Sequence, residues 1–166
     1  MKTNTKKLTA LALTVSFAIV LSYIESRIPA FFAIPGIKAG LANIAVIFCL
    51  YKLGIKEAIA VSLIRVFIVS LLFGSPISMI YSIAGAILSL TSMILLKRLT
   101  RLSEVSVSVC GGVMHNVGQI ATASFMLSTN VVVYYLPFLI LSGTLAGIVV
   151  GLVSALLIKR VKINIK

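Results

Sequence analysis

Six apolar runs separated by short stretches rich in lysine and arginine constrain this chain more than any other feature. The runs cover approximately 8–24, 40–53, 57–74, 76–96, 105–127 and 131–158. A helix needs about 17 to 25 mostly apolar residues to cross the hydrocarbon of a bilayer. Hydrophobic residues make up 60% of the 166 and charged residues only 11%, which excludes an ordinary soluble domain. The expected fold is an all-α membrane protein: six transmembrane helices in a compact bundle, forming one integral domain over residues 1–166. The second run is short, so its start is expected to sink into the protein, because lipid does not tolerate unpaired backbone groups. The first has a basic start like a signal peptide, yet its apolar part is too long and no small-residue cleavage site follows, so it is expected to remain.

The formal charge of +12 is explained by topology rather than by nucleic acid. Lys2, Lys6, Lys7, Lys52, Lys56, Lys97, Arg98, Arg101, Lys159, Arg160, Lys162 and Lys166 all fall on one face of a six-span arrangement. The positive-inside bias makes that face, with both termini, cytoplasmic, in a multi-pass protein of the cell membrane. Arg27 and Lys38 are left on the outer side and Arg65 within the third run. The segment between runs one and two holds Pro29, Pro35, Gly36 and Gly40 with Phe31 and Phe32, and reads as an outer loop folded back onto the bundle.

Aspartate is absent, and glutamate occurs only at Glu25, Glu57 and Glu104. Chemistry that relies on paired carboxylates or a carboxylate-held metal therefore has almost no material. No glycine-rich phosphate loop ends in lysine, so the chain is not expected to hydrolyse ATP. Cys49 and Cys110 lie inside apolar runs and read as small buried hydrophobes, and the lone histidine lacks fellow ligands. No enzyme activity, cofactor or metal is expected.

Small residues recur at helical spacing. Run four carries Ser78, Ser82, Gly85, Ser89 and Ser92; run six carries Gly143, Gly147, Gly151 and Ala155; run one carries Ala10, Thr14 and Ala18, with Ala12 and Ser16 alongside. Such stripes let helices approach closely in a bilayer, where packing drives association. Those of runs four and six read as bundle contacts; that of run one serves a neighbour or a partner equally well.

The costly polar residues gather at one level. Gly112, Asn116, Gln119 and Ala123 share a face of run five, His115 stands beside them, and at about 1.5 Å per residue His115 lies near the membrane midplane. Arg65 is at similar depth in run three, and Asn43 faces the same way as Gly36 and Gly40 on run two. A mid-depth arginine costs about 2.5 to 3.5 kcal/mol to insert and must face the interior. No carboxylate is expected at its own depth. Either Arg65 joins carbonyls and amides in a structural network, or its counter-ion is the anionic part of a ligand. Lys38, Asn43, Arg65, His115, Asn116 and Gln119 are the candidate ligand-binding residues, in a pocket opening outward between spans two, three and five. Tyr134 and Tyr135, with Phe31 and Phe32, either cover a ligand or belt the membrane interface.

The segments "PGIKAGLANI", "LIRVFIVSLLFGSP", "GGVMHNVGQ" and "YYLPFLILSG" resemble the bacterial Gx transporter family, also called heptaprenyl diphosphate synthase component I, from about Leu8 to Ile158. That family is in turn similar to the six-helix S-components of energy-coupling factor transporters. The resemblance implies a membrane subunit that captures a small, anionic, vitamin-like or precursor-like molecule from outside. It also implies partners, a transmembrane coupling protein and two ATPases, with Ala10, Thr14 and Ala18 as the candidate partner interface. The synthase label implies a different role, as an accessory to isoprenoid or quinone synthesis. Catalysis itself is not expected, since prenyl diphosphate synthases hold magnesium through aspartate clusters. A structural partner of a redox complex is a third possibility.

The charge pattern makes a direct test. A cysteine introduced at Thr129 should react with an impermeant reagent applied to intact cells, and one introduced at Thr100 should not. The reverse pattern would rule out the six-span topology.

Overall fold

The computed structural model describes residues 2–27 and 40–161. The elements are α1 (Lys2–Arg27), α2 (Asn43–Lys52), α3 (Ile55–Phe73), α4 (Pro76–Leu99), α5 (Glu104–Leu127), a short 3-10 helix (Val131–Tyr135) and α6 (Leu136–Arg160). The described residues contain helices and connections only. Lys38 and the aromatic pair Phe31 and Phe32, with the rest of the loop expected to fold back, lie outside the described residues.

Three of these helical stretches, Thr5–Arg27, Pro76–Leu99 and Val131–Arg160, are long and apolar enough to cross a membrane. This places the chain among membrane proteins. The other helices depart from a simple span for reasons visible in their residues. At ten residues, α2 is about 15 Å long, and six of its side chains are buried, so it is an interior element. Lys56, Glu57 and Arg65 interrupt α3, and serines, glycines, Asn116 and Gln119 dilute α5.

The helix boundaries follow local chemistry. Ser75 caps α4: its hydroxyl accepts from the Ser78 amide, the Ser78 hydroxyl accepts from the Ser75 amide, and Pro76 supplies a preset first turn. Ser103 caps α5 by accepting from the Ser106 amide, with Glu104 in the first turn beside the positive end of the helix. Gly54, at φ 133°, makes the sharp reversal between α2 and α3.

Side chains clasp the lysine-rich end of the bundle. Lys7 pairs with Glu57, joining α1 to α3. Lys97 of α4 donates to the Leu50 carbonyl at 2.6 Å, satisfying an acceptor in the last turn of α2, and its ammonium lies 4.6 Å from the Tyr51 ring. Above these contacts lies an apolar core that includes Ala18, Ile47, Leu50, Val61, Met93, Val107 and Val150. At the opposite end Tyr23 of α1 packs on Phe73 of α3, ring centres 5.3 Å apart, with Arg27 over the Tyr23 ring.

The small-residue stripes lie in the α4–α5–α6 contacts. A Cβ on Gly85 would come within 2.9 Å of the His115 carbonyl oxygen, and one on Gly118 within 2.9 Å of the Ala84 carbonyl oxygen. On the other side of α5, a Cβ on Gly143 would lie 2.8 Å from the Asn116 amide nitrogen, and one on Gly147 only 2.6 Å from the Val109 Cα. Helix α5 is thus held by near-backbone contact on two faces, the arrangement expected where packing replaces the hydrophobic drive.

Gly147→Ala tests this packing. The added methyl meets backbone rather than a flexible side chain, so the expected loss is about 1 to 3 kcal/mol of overpacking strain. That outweighs the gain of about 1 kcal/mol in helix propensity. The thermal midpoint in detergent should fall while helical content at low temperature is kept; an unchanged or higher midpoint would show that α5 and α6 have slack.

Candidate ligand pocket

A polar cavity of about 80 Å³ lies at the end of the bundle opposite the lysine clasps. Five elements build it. The last turns of α1 contribute Ser22, Glu25 and Ser26; Gly40 and Asn43 come from the start of α2; Arg65, Ser70 and Phe73 from the C-terminal half of α3; Ser78 and Ser82 from the first turns of α4; and His115, Asn116 and Gln119 from α5. The expected pocket between spans two, three and five therefore has two further walls, α1 and α4. Four spaced serines and one glutamate were the available signals for them.

Of the six candidate ligand-binding residues, five line this cavity: Asn43, Arg65, His115, Asn116 and Gln119. The sixth, Lys38, lies outside the described residues. The shared face expected for α5 is divided in the structure. Gly112 and Asn116 turn toward α6, where the Asn116 amide donates to the Leu139 carbonyl at 2.6 Å; His115 and Gln119 pack against Gly85 of α4. The cavity lies where these two contact faces meet.

Arg65 is only 9% exposed, and its Nε is buried without a hydrogen-bond partner among the described residues. No ion pair is formed by its guanidinium among the described residues. The expectation that no carboxylate stands near its depth needs correction. Glu25, also 9% exposed, lines the same cavity and acts on Arg65 through its charge. The depth count placed Glu25 at the outer boundary because it treated each group as lying level with its own Cα. Long side chains on parallel helices reach along the axis, and an arginine extending from mid-helix and a glutamate at the helix end turn into one space. Glu25 also accepts from the Gly40 amide, tying the end of α1 to the approach to α2.

The start of α2 adds a fixed partial charge. Its N-terminal residue position has no side-chain cap, and both Gly40 and Asn43 face the cavity, so the positive end of the helix dipole points there. A smaller cavity of about 30 Å³ adjoins, lined by Gly40, Asn43, His115 and Asn116 together with Gly112, Gly143, Gly147 and the buried Ser108.

Other candidates lie elsewhere. Thr14 and Ala18 of α1 are buried, Ala18 completely, while the neighbouring Ala12 and Ser16 are exposed. The stripe through Ala10, Thr14 and Ala18 thus packs within the chain in this conformation. Tyr134 and Tyr135 are exposed on the 3-10 helix and do not line the cavity. Both cysteines are free, and among the described residues no group of three or more metal-ligating side chains comes together.

Asn116 offers a measurable handle. Asn116→Ala should remove the bond to the Leu139 carbonyl and cost about 0.6 to 1.7 kcal/mol, the range of interhelical bonds inside membranes. Thermal unfolding in nanodiscs would register it; no change would mean that the wall between the cavities is held by glycine packing alone.

Comparison with known proteins gives one finding about the family. The family model described as heptaprenyl diphosphate synthase component I matches residues 14–157, which takes in the C-terminal part of α1, all of α2 to α5, and nearly all of α6. No curated protein and no solved structure matches the chain. With the match extending across every wall of the cavity, this chain belongs to the heptaprenyl diphosphate synthase component I family.

Proposed function

We propose that this protein is a non-catalytic membrane component of a prenyl diphosphate synthesis system, and that it binds a small molecule through an anionic group in the cavity at Arg65. The observation that carries the binding role is the buried guanidinium with an unpartnered Nε in a polar cavity. Arginine stays charged at that depth, and the nearby α2 N-terminus adds positive potential. Together they favour an anionic oxygen. The family name supports the setting. The absence of aspartate supports an accessory rather than a catalytic role, because a diphosphate leaving group must be neutralised by carboxylate-held magnesium.

In this reading the chain crosses the bilayer six times, with α2 making one incomplete crossing, and both termini are cytoplasmic. The twelve basic residues on one face support this. The cavity then opens on the outer side, and that placement favours a second reading, uptake of the bound molecule with a coupling protein and ATPases. Residues Lys38, Asn43, His115, Asn116 and Gln119 would join Arg65 around the ligand. Since Thr14 and Ala18 are buried, an uptake partner on α1 would meet the exposed Ala12 and Ser16 face or require α1 to turn.

Arg65→Gln tests the binding role. Glutamine keeps hydrogen-bonding capacity and removes the charge. A buried charge-assisted hydrogen bond contributes about 1.5 to 3 kcal/mol, so affinity for the small molecule that co-purifies, identified by mass spectrometry, should fall roughly ten- to hundredfold. The thermal midpoint of the unliganded protein should change little. Wild-type affinity would remove Arg65 from the site, and a large loss of unliganded stability would make it a structural group. Recovery of a soluble prenyl synthase with the purified protein supports the accessory setting, whereas ATP-dependent accumulation of the ligand in proteoliposomes with a coupling protein supports uptake.

A further inference from the structure

We infer that the ligand of the Arg65 cavity carries a narrow, unbranched arm ending in an uncharged hydrogen-bonding group, best a hydroxyl, which enters the adjoining smaller cavity and bonds the Ser108 hydroxyl. The inference rests on the anion-binding role of Arg65 proposed above and adds a second recognition point, on the α5–α6 side.

The smaller cavity, of about 30 Å³, shares Gly40, Asn43, His115 and Asn116 with the main one and so forms an annex to it. From these residues it follows the contact between α5 and α6, past Gly112 and Gly147, to Ser108. Ser108 stands about two turns from Asn116 along α5, toward the lysine-rich end. It is only 3% exposed, and its hydroxyl has no hydrogen-bond partner among the described residues. A buried serine in a helix ordinarily satisfies itself by donating to the carbonyl one turn back. Ser154, equally enclosed on α6, does so, donating to the Val150 carbonyl at 2.7 Å. Ser108 does not, which leaves its hydroxyl for what enters the annex. Ser89 is also buried and unpartnered but lines neither cavity.

The width of the annex sets the shape of the arm. A water needs about 10 to 15 Å³ of cavity, so roughly two groups of that size fit. Its walls have no slack: a Cβ on Gly112 would come within 2.6 Å of the Gly143 carbonyl oxygen, so α5 and α6 already touch through backbone. A ring or a branched chain does not pass. The chemistry of the inner end sets the terminal group. Beyond the residues shared with the main cavity, Ser108 is the one polar side chain lining the annex among the described residues. One neutral hydroxyl does not compensate a buried ammonium or carboxylate. An apolar end displaces water and leaves Ser108 unsatisfied, the penalty by which a hydrogen-bonding site rejects an analogue lacking the group. A hydroxyl donates and accepts, and so meets Ser108 in either sense.

The test uses two matched series on the purified protein in nanodiscs: straight-chain carboxylates from acetate to hexanoate, and the same acids carrying a terminal hydroxyl, with calorimetry as readout. At least one hydroxy acid should bind roughly five- to a hundredfold tighter than the plain acid of its length. Ser108→Ala should abolish that preference and leave the plain acid binding at least as tightly as before. The same variant reports whether the hydroxyl serves the fold instead. The thermal midpoint of the unliganded protein should hold or rise, since alanine is the better helix former and no bond is lost. Equal binding of the two series at every length, a preference that survives Ser108→Ala, binding by neither series, or a fall in the unliganded midpoint would overturn the inference. Arg65→Gln separates it from the reading beneath it. Carboxylate binding that depends on Arg65 without a hydroxyl preference sinks the annex alone. Binding by either series that is indifferent to Arg65 sinks both.

Discussion

The near-backbone contact of α5 with α4 and α6 is the interaction on which the rest of this structure depends. In a bilayer, helices gain nothing from hiding leucine from lipid, so association has to come from close packing and from polar groups satisfied internally. Gly85, Gly118, Gly143 and Gly147 allow it here. Because those glycines surround His115, Asn116 and Gln119, the same contacts that hold the bundle set the position of the polar residues along α5. A side chain added in the stripes would move the cavity wall as well as the helix.

Much of the helical architecture was legible in the sequence because long apolar runs bounded by basic residues and helix breakers delimit helices. The six apolar runs correspond closely to the helices, and the short second run is the buried, ten-residue α2. The glycine steps of run six are the α5 contact. The family expected from four quoted segments is the family whose model matches.

The parts that were not legible share a physical cause: spacing along a helix says which residues share a face, not what that face meets. Run one has small residues on several faces, and periodicity did not reveal that Thr14 and Ala18 turn inward while Ala12 and Ser16 turn out. Arg65 and Glu25 are forty residues apart in sequence. Their convergence depends on the parallel packing of α1 and α3 and on the reach of two long side chains, neither of which hydropathy records. Five of the six expected ligand-binding residues do come together around one cavity, since an expensive polar group inside an apolar helix has few places to go.

The apolar core beneath the cavity has an electrical consequence. Ile47, Leu50, Met93 and Val107 form part of an apolar layer between the polar cavity and the lysine-rich end. In the six-span topology proposed above, water in the cavity would carry the outer potential inward to its floor, and the transmembrane voltage would drop mainly across this layer. Moving a unit charge through the full field costs about 2.3 kcal/mol per 100 mV. A charge entering only as far as Arg65 experiences a fraction of that. In that proposed topology the cavity would present a deep site to charged molecules with little sensitivity to the energised state of the cell.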